Sequence, residues 1–137
     1  MLTLFHHPFC PHSRFVRLLL SEYGLEADFT EERVWERREA FLMLNPAGQT
    51  PVLVVEGYPA IPGASVIAEF LDEMHGSLED GVSQRQLIGE SPQQRIESRR
   101  LASWFSDKFY SEVSGPLVNE RLHKRYMTND QGGGSRD

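Results

Sequence analysis

His6-His7-Pro8-Phe9-Cys10-Pro11-His12-Ser13-Arg14 follows the apolar run Leu2-Thr3-Leu4-Phe5 and leads into Phe15-Val16-Arg17-Leu18-Leu19-Leu20. The order reads as a strand that ends, a turn through two prolines, and a helix that begins near Pro11. Proline suits the first helical turn, where its missing N–H would have had no intrahelical partner. Cys10, the single cysteine of the chain, then falls at a helix N-terminus. Unpaired N–H groups and the helix dipole favour an anion there, and a thiolate is one. In such settings a cysteine pKa falls from about 8.5 into the range of roughly 3.5 to 7.5. The inert alternative is a buried cysteine acting as a small hydrophobe.

Working outward, Tyr23-Gly24-Leu25 reads as a helix stop, with Gly24 able to adopt the left-handed conformation. Residues 26–34 read as a second strand and 35–44 as a short charged helix. Asn45-Pro46-Ala47-Gly48-Gln49 is a loop by its turn residues. Thr50-Pro51 leads into Val52-Leu53-Val54-Val55, a β-branched run of the buried-strand kind. Glu56-Gly57-Tyr58 turns into a brief strand over 58–61. From Ala64 the spacing is helical, with Val66, Ile67, Phe70, Leu71 and Met74 on one face. The predicted order is β-α-β-α-β-β-α, an α/β layered domain with a mixed sheet.

Residues 76–91 are polar, carry glycine and show no sustained period, as a linker would. Ser91-Pro92 supplies an N-cap and a proline at the first helical position. The helix that follows has Ile96, Leu101, Trp104, Phe105, Phe109 and Val113 as its apolar positions. Gly115-Pro116 is expected to break or kink it, 117–127 to continue helical, and the glycine-rich 128–137 to be disordered. One kinked helix cannot bury its apolar face alone. It must pack on the first domain or on a partner, or the sequence is a fragment whose remaining helices are absent; the fragment reading is favoured here.

The 137 residues carry a net charge of −6, unevenly spread. Residues 1–92 hold 6 Lys/Arg against 14 Asp/Glu, a net −8, whereas 93–127 hold 7 against 4, a net +3. Such a split points to two units and does not favour nucleic acid. No run is long enough for a membrane span and no basic-then-apolar signal opens the chain. A single cysteine permits no internal disulfide, so a reducing cytoplasm is the expected compartment.

Phe9-Cys10-Pro11-His12-Ser13-Arg14 with its helical continuation resembles the start of a glutathione transferase. So do Leu44-Asn45-Pro46-Ala47-Gly48-Gln49-Thr50-Pro51-Val52-Leu53 and Ile67-Ala68-Glu69-Phe70-Leu71-Asp72-Glu73. The resemblance implies a thioredoxin-like, glutathione-binding domain at 1–76, a linker at 77–91 and the beginning of an all-α domain at 92–127. It places Cys10 where cysteine-type members keep their catalytic residue, with Ser13 where a dithiol redox protein has its second cysteine. It further implies a glutathione site formed by Phe9, Ser13, Gln49, Thr50, Pro51, Gly63, Ala64 and Ser65. Thr50-Pro51 would be cis, which only about 5–6% of X–Pro bonds are otherwise, and the Thr50 backbone would pair with the cysteinyl part of glutathione. Glutathione would be the co-substrate, a small electrophile or mixed disulfide the second substrate, and the protein a homodimer. One departure stands out: Gly63-Ala64 occupies the place of the usual Glu-Ser, which holds the γ-glutamyl end. Losing a charge-assisted hydrogen bond there costs about 1.5–3 kcal/mol. The alternative function is a non-catalytic thioredoxin-fold protein-interaction module.

Other candidates are weaker. His6, His7 and His12 surround Cys10, but His6 and His7 are adjacent on a strand end and point opposite ways, and no zinc-type spacing is present. His12 either tunes the thiolate or is solvated. Arg14 either attracts glutathione or is exposed. Glu31-Glu32 and Arg37-Arg38 read as solvated faces. Trp104, Phe105 and Phe109 either line an electrophile pocket or pack in the core, the latter being expected for at least two.

Overall fold

β1, Leu2–His6, alternates its side chains between two faces, and Leu4 is fully buried. It lies at the centre of a four-stranded sheet of order β2-β1-β3-β4. β2 (Asp28–Glu31) runs parallel to β1, with Leu4 opposite Phe29. β3 (Val52–Val55) runs antiparallel to β1, with Leu4 opposite Leu53. The short β4 (Ile61–Pro62) closes the sheet antiparallel to β3. The parallel pair needs a crossover, and α1 (Pro11–Glu22) supplies it. This mixed, thioredoxin-like α/β arrangement followed by a long helical region is the architecture the motif order implies. These elements come from a computed structural model that describes residues 1–75 and 86–133.

The core forms where α1 and α3 (Ala64–His75) cover the sheet: Val16 and Leu20, then Ile67 and Leu71, meet Leu4, Leu53 and Ile61. Each such side chain contributes about 1.5–3 kcal/mol by leaving water. Pro51 and Gly63 tie the sheet to α3, because the Gly63 N–H donates to the Pro51 carbonyl at 3.0 Å. Gly63 does so at φ +89, a conformation that costs glycine nothing and strains any L side chain.

Several boundaries differ from the sequence reading. β2 is only Asp28–Glu31, and Val34–Glu36 is a single 3-10 turn. The next helix, α2, is limited to Glu39–Leu44 because Arg37 turns left-handed at φ 48. Glu32 is not on a solvated face: it is fully buried, and the Arg38 guanidinium donates to both of its carboxylate oxygens. β4 begins only at Ile61, so residues 58–60 belong to the turn.

α4 (Pro92–Ser103) starts with a reciprocal cap, the Gln94 N–H donating to the Ser91 hydroxyl at 3.2 Å and the Gln94 side chain accepting from the Ser91 N–H. Gly115-Pro116 does not end the helix. The chain winds on through a wide π segment, Trp104–Ser114, then α5 (Gly115–Val118), a second π segment, Asn119–His123, and α6 (Lys124–Tyr126). A π turn loosens the ladder where Pro116 lacks a donor, so the proline changes the winding instead of stopping the run. Trp104, Phe105 and Phe109 are not core residues. They are 47%, 56% and 37% exposed and pack on one another with ring centroids 4.9–6.0 Å apart. The expected linker at 77–91 lies outside the described residues up to 85. Of the expected disordered tail, residues 128–133 are folded: Thr128 caps a 3-10 turn at Asn129–Gln131.

Candidate functional site

Cys10 is the N-cap of α1 and Pro11 its first residue. The Cys10 N–H donates to the His7 carbonyl at 3.0 Å, and the Cys10 carbonyl accepts the first helical bond, from Arg14, at 3.0 Å. Ser13 is fully buried below it. The Ser13 Oγ accepts the His7 N–H at 3.3 Å, which leaves its own proton free to donate to the Cys10 sulfur. The thiol donates to the Thr50 carbonyl, with Sγ 3.7 Å from the oxygen. The Thr50–Pro51 peptide is cis.

Burial pushes the Cys10 thiol up, but hydrogen bonds from His12, the Ser13 side chain and the Ser13 N–H outweigh it and bring it down to about 7. His12 moves the other way, raised above its ordinary value chiefly by its bond to Cys10 and then by the Ser106 carbonyl, against the effect of burial. Both shifts favour a thiolate–imidazolium pair. The His12 Nε2 lies 2.9 Å from the Ser106 carbonyl oxygen. A nitrogen facing a carbonyl must carry the proton, so Nδ1 is left as the nitrogen for the thiol. Tyr110, one helical turn on, packs its ring 4.2 Å from the His12 ring. Ser106 and Tyr110 are residues of the candidate site that the sequence does not single out. Only their spacing of four along one helix hints that they share a face.

A cavity of about 780 Å³ opens between α1, the loop before β3, the start of α3 and α4. It gathers Gln49, Thr50, Pro51, Gly63, Ala64 and Ser65 with His12. Glu69, Arg99 and Asp107 supply its charges. Arg99 holds Glu69 in a two-pronged ion pair at 2.7 and 2.9 Å. Asn45 shapes the loop: its amide donates to the Gln49 carbonyl at 2.8 Å and its oxygen accepts the Ala47 N–H at 3.2 Å. Cys10 reaches this cavity through Thr50. Phe9 does not line it; the Phe9 ring packs on His7 and stacks with Tyr126 instead. Ser13 does not line it either, being enclosed beneath Cys10. Among the described residues, no group of three or more His, Cys, Asp or Glu is placed to hold a metal.

The pKa of Cys10 has a direct expectation. Its alkylation rate by iodoacetamide rises with pH about a midpoint near 7. His12→Phe removes the leading opposing hydrogen bond and leaves burial dominant, so the midpoint moves up by about one pH unit or more. An unchanged profile in that variant would show that His12 does not set the thiol.

A thioredoxin-like sheet with a cysteine-capped first helix facing a cis Thr-Pro edge defines a glutathione transferase-type domain. The glutathione S-transferase N-terminal domain family matches residues 9–74. A solved glutathione S-transferase from Sinorhizobium meliloti superposes with a TM-score of 0.92 at 51% identity, covering 100% of this chain and 58% of that one. One from Rhodospirillum rubrum superposes at 0.84 with 38% identity, covering 100% and 57%. Among curated proteins, FtsZ-localized protein A of Caulobacter vibrioides is 38% identical over 128 residues, which is 91% of this chain and 53% of that protein. The chain therefore belongs to the glutathione S-transferase family. It spans about half the length of the curated relatives it matches.

Proposed function

We propose that this chain binds glutathione in the cavity beside Cys10 and carries out thiol transfer through that cysteine. The observation that carries the reading is the convergence of the Cys10 sulfur, the Thr50 backbone and the His12 imidazole at one edge of a cavity large enough for a tripeptide. The Cys10 thiolate attacks the glutathionyl sulfur of a mixed disulfide, forming a Cys10–glutathione disulfide. The departing thiolate takes its proton from the His12 imidazolium. A second glutathione thiolate then attacks the glutathionyl sulfur, releasing oxidised glutathione and restoring the Cys10 thiolate. The second route is conjugation, in which the site stabilises a glutathione thiolate that attacks a small electrophile. The reading includes a cytoplasmic homodimer and the division into a glutathione-binding domain at 1–76, a linker at 77–91 and the beginning of an all-α domain at 92–127.

Two features favour a second reading, a non-catalytic interaction module. Gly63-Ala64 brings no carboxylate to the start of α3, although Glu69 and Asp107 supply two elsewhere in the cavity. One relative carries the name FtsZ-localized protein A. Calorimetric titration with glutathione separates the two readings. Micromolar binding is the expected result, and no heat at millimolar ligand would favour the module.

A further inference from the structure

Outside the lining of the cavity, two histidines from distant parts of the chain meet. His7 is only 4% exposed. Its ring lies edge-on to His123 at 5.1 Å and to Trp35 at 5.3 Å, and Trp35 and His123 are 5.0 Å apart. The His7 Nδ1 accepts the Phe9 N–H at 3.3 Å, while its backbone N–H holds Ser13 and its carbonyl holds the Cys10 N–H. One residue thus fixes three points of the turn that carries Cys10. The buried Nε2 of His123 has no hydrogen-bond partner among the described residues.

We propose that His7 and His123 form a neutral latch that fastens the C-terminal helix to the Cys10 turn, and that protonation opens it. A proton on the His7 Nδ1 would set a donor against the Phe9 N–H and cancel the bond that shapes the turn. A charge on His123 would fall partly on its buried Nε2, beside a second imidazole. Both side chains are positioning residues: neither reaches the cavity, and each acts on Cys10 through the backbone of 7–13.

From β2 comes Glu31, which raises the His7 pKa; Arg33 and His6 lower it, as do burial, the largest effect, and His123 itself. Glu31 is engaged by Arg33 at 3.7 Å, which blunts its pull. On the C-terminal helix Lys124 pairs with Glu120 at 2.6 Å, next to His123, whose own pKa burial lowers. Phe9, Trp35 and Tyr126 bring no charge. Both imidazoles therefore sit below their ordinary value of 6.5 when docked. The latch is intact above that pH and weakens as pH falls beneath it. His12 is raised instead, so its contribution persists in acid and is lost as pH rises; it cannot produce an acid transition.

The regulatory half of the proposal rests on the reading of Cys10 as a reactive thiol; the structural half does not. The test uses the whole chain with Trp104→Phe, which leaves Trp35 as the single tryptophan. Trp35 emission is followed from pH 8 to 5, since a protonated imidazole quenches an indole it touches. The expected result is one transition with its midpoint below 6.5, smaller and displaced in His123→Phe, where His7 alone is left to titrate beside Trp35. His123→Gln, which cannot charge either, gives the same reading should a phenyl ring disturb the helix. A flat curve in the parent, or the same transition in both variants, would overturn the latch. Cys10 alkylation, corrected for thiolate fraction, should rise across that transition in the parent and shift with it in the variants. A rate that ignores the transition overturns the coupling to Cys10. A thiol that titrates near 8.5 overturns the reactive-cysteine reading whatever Trp35 reports.

Discussion

On the proposed function, Cys10→Ser will abolish glutathione-dependent thiol transfer while leaving the fold and the cavity intact. Serine is smaller by the difference between oxygen and sulfur, and its hydroxyl can still donate to the Thr50 carbonyl that the thiol meets now. What it cannot do is ionise near neutrality. His12 and Ser13 bring the thiol to about 7 against the pull of burial, and the same partners leave an alcohol protonated. With no thiolate, no Cys10–glutathione disulfide forms, and the rate should fall about a thousandfold or more, as it does when a covalent nucleophile is removed. The assay is reduction of a glutathione mixed disulfide, with glutathione affinity measured in parallel. Retained transfer in the serine variant would remove Cys10 from the chemistry. Conjugation behaves differently, since a serine hydroxyl can hydrogen-bond a glutathione thiolate. Loss of transfer with survival of conjugation would assign the two routes to different groups.

The elements that could be read from the sequence are those whose signal is local and periodic. α1 announces itself by Pro11 and the apolar spacing after it, α3 by Ile67, Phe70 and Leu71, and β3 by four consecutive apolar residues. α2 starts later than its residue pattern predicts because the chain turns at Arg37, whose left-handed backbone no propensity foretells. Glu32 looked like surface because its partner, Arg38, is identified only once the chain has turned. At the site, six expected residues line one cavity because they sit on loops that the thioredoxin-like topology gathers at the same end of the sheet. The Phe9 ring goes elsewhere because Tyr126, far along the chain, offers it a stacking surface. The Ser106 carbonyl reaches His12 across 94 positions. Backbone groups carry no side-chain signature, so nothing in the residue pattern marks one as a partner for the His12 imidazole.

Asp72→Ala will loosen the docking of the C-terminal helix on the first domain at a cost of about 3 kcal/mol, the lower end for breaking a buried ion pair. The carboxylate is 2% exposed and accepts three bonds: from the Tyr23 hydroxyl at 2.9 Å, the Ile88 N–H at 3.3 Å and the Arg95 Nη1 at 3.0 Å. It thereby joins α1, the segment before α4 and α4 itself at one point. Removing it strands two part-buried donors and a guanidinium that is three-quarters enclosed. Arg95 keeps Glu69 at 3.8 Å as a second neighbour, which is why the lower end applies. Against a total stability of roughly 5–15 kcal/mol, the melting temperature should drop by about 10 °C or more. Asp72→Asn keeps an acceptor for Tyr23 and Ile88 but not the charge, so it should lose less. Tyr23 reports on the same site: burial, then the bond to Asp72, raises its hydroxyl to about 12. Native stability should therefore decline as pH climbs above 10, where the unfolded phenol ionises first, and the alanine variant should bring the Tyr23 absorbance titration to lower pH. Arg99→Ala breaks a better-formed pair, yet Arg99 is half exposed, and such pairs contribute at most about 1 kcal/mol. Equal losses in Arg99→Ala and Asp72→Ala would mean that the helix is held by its surface ion pairs and not by the buried carboxylate.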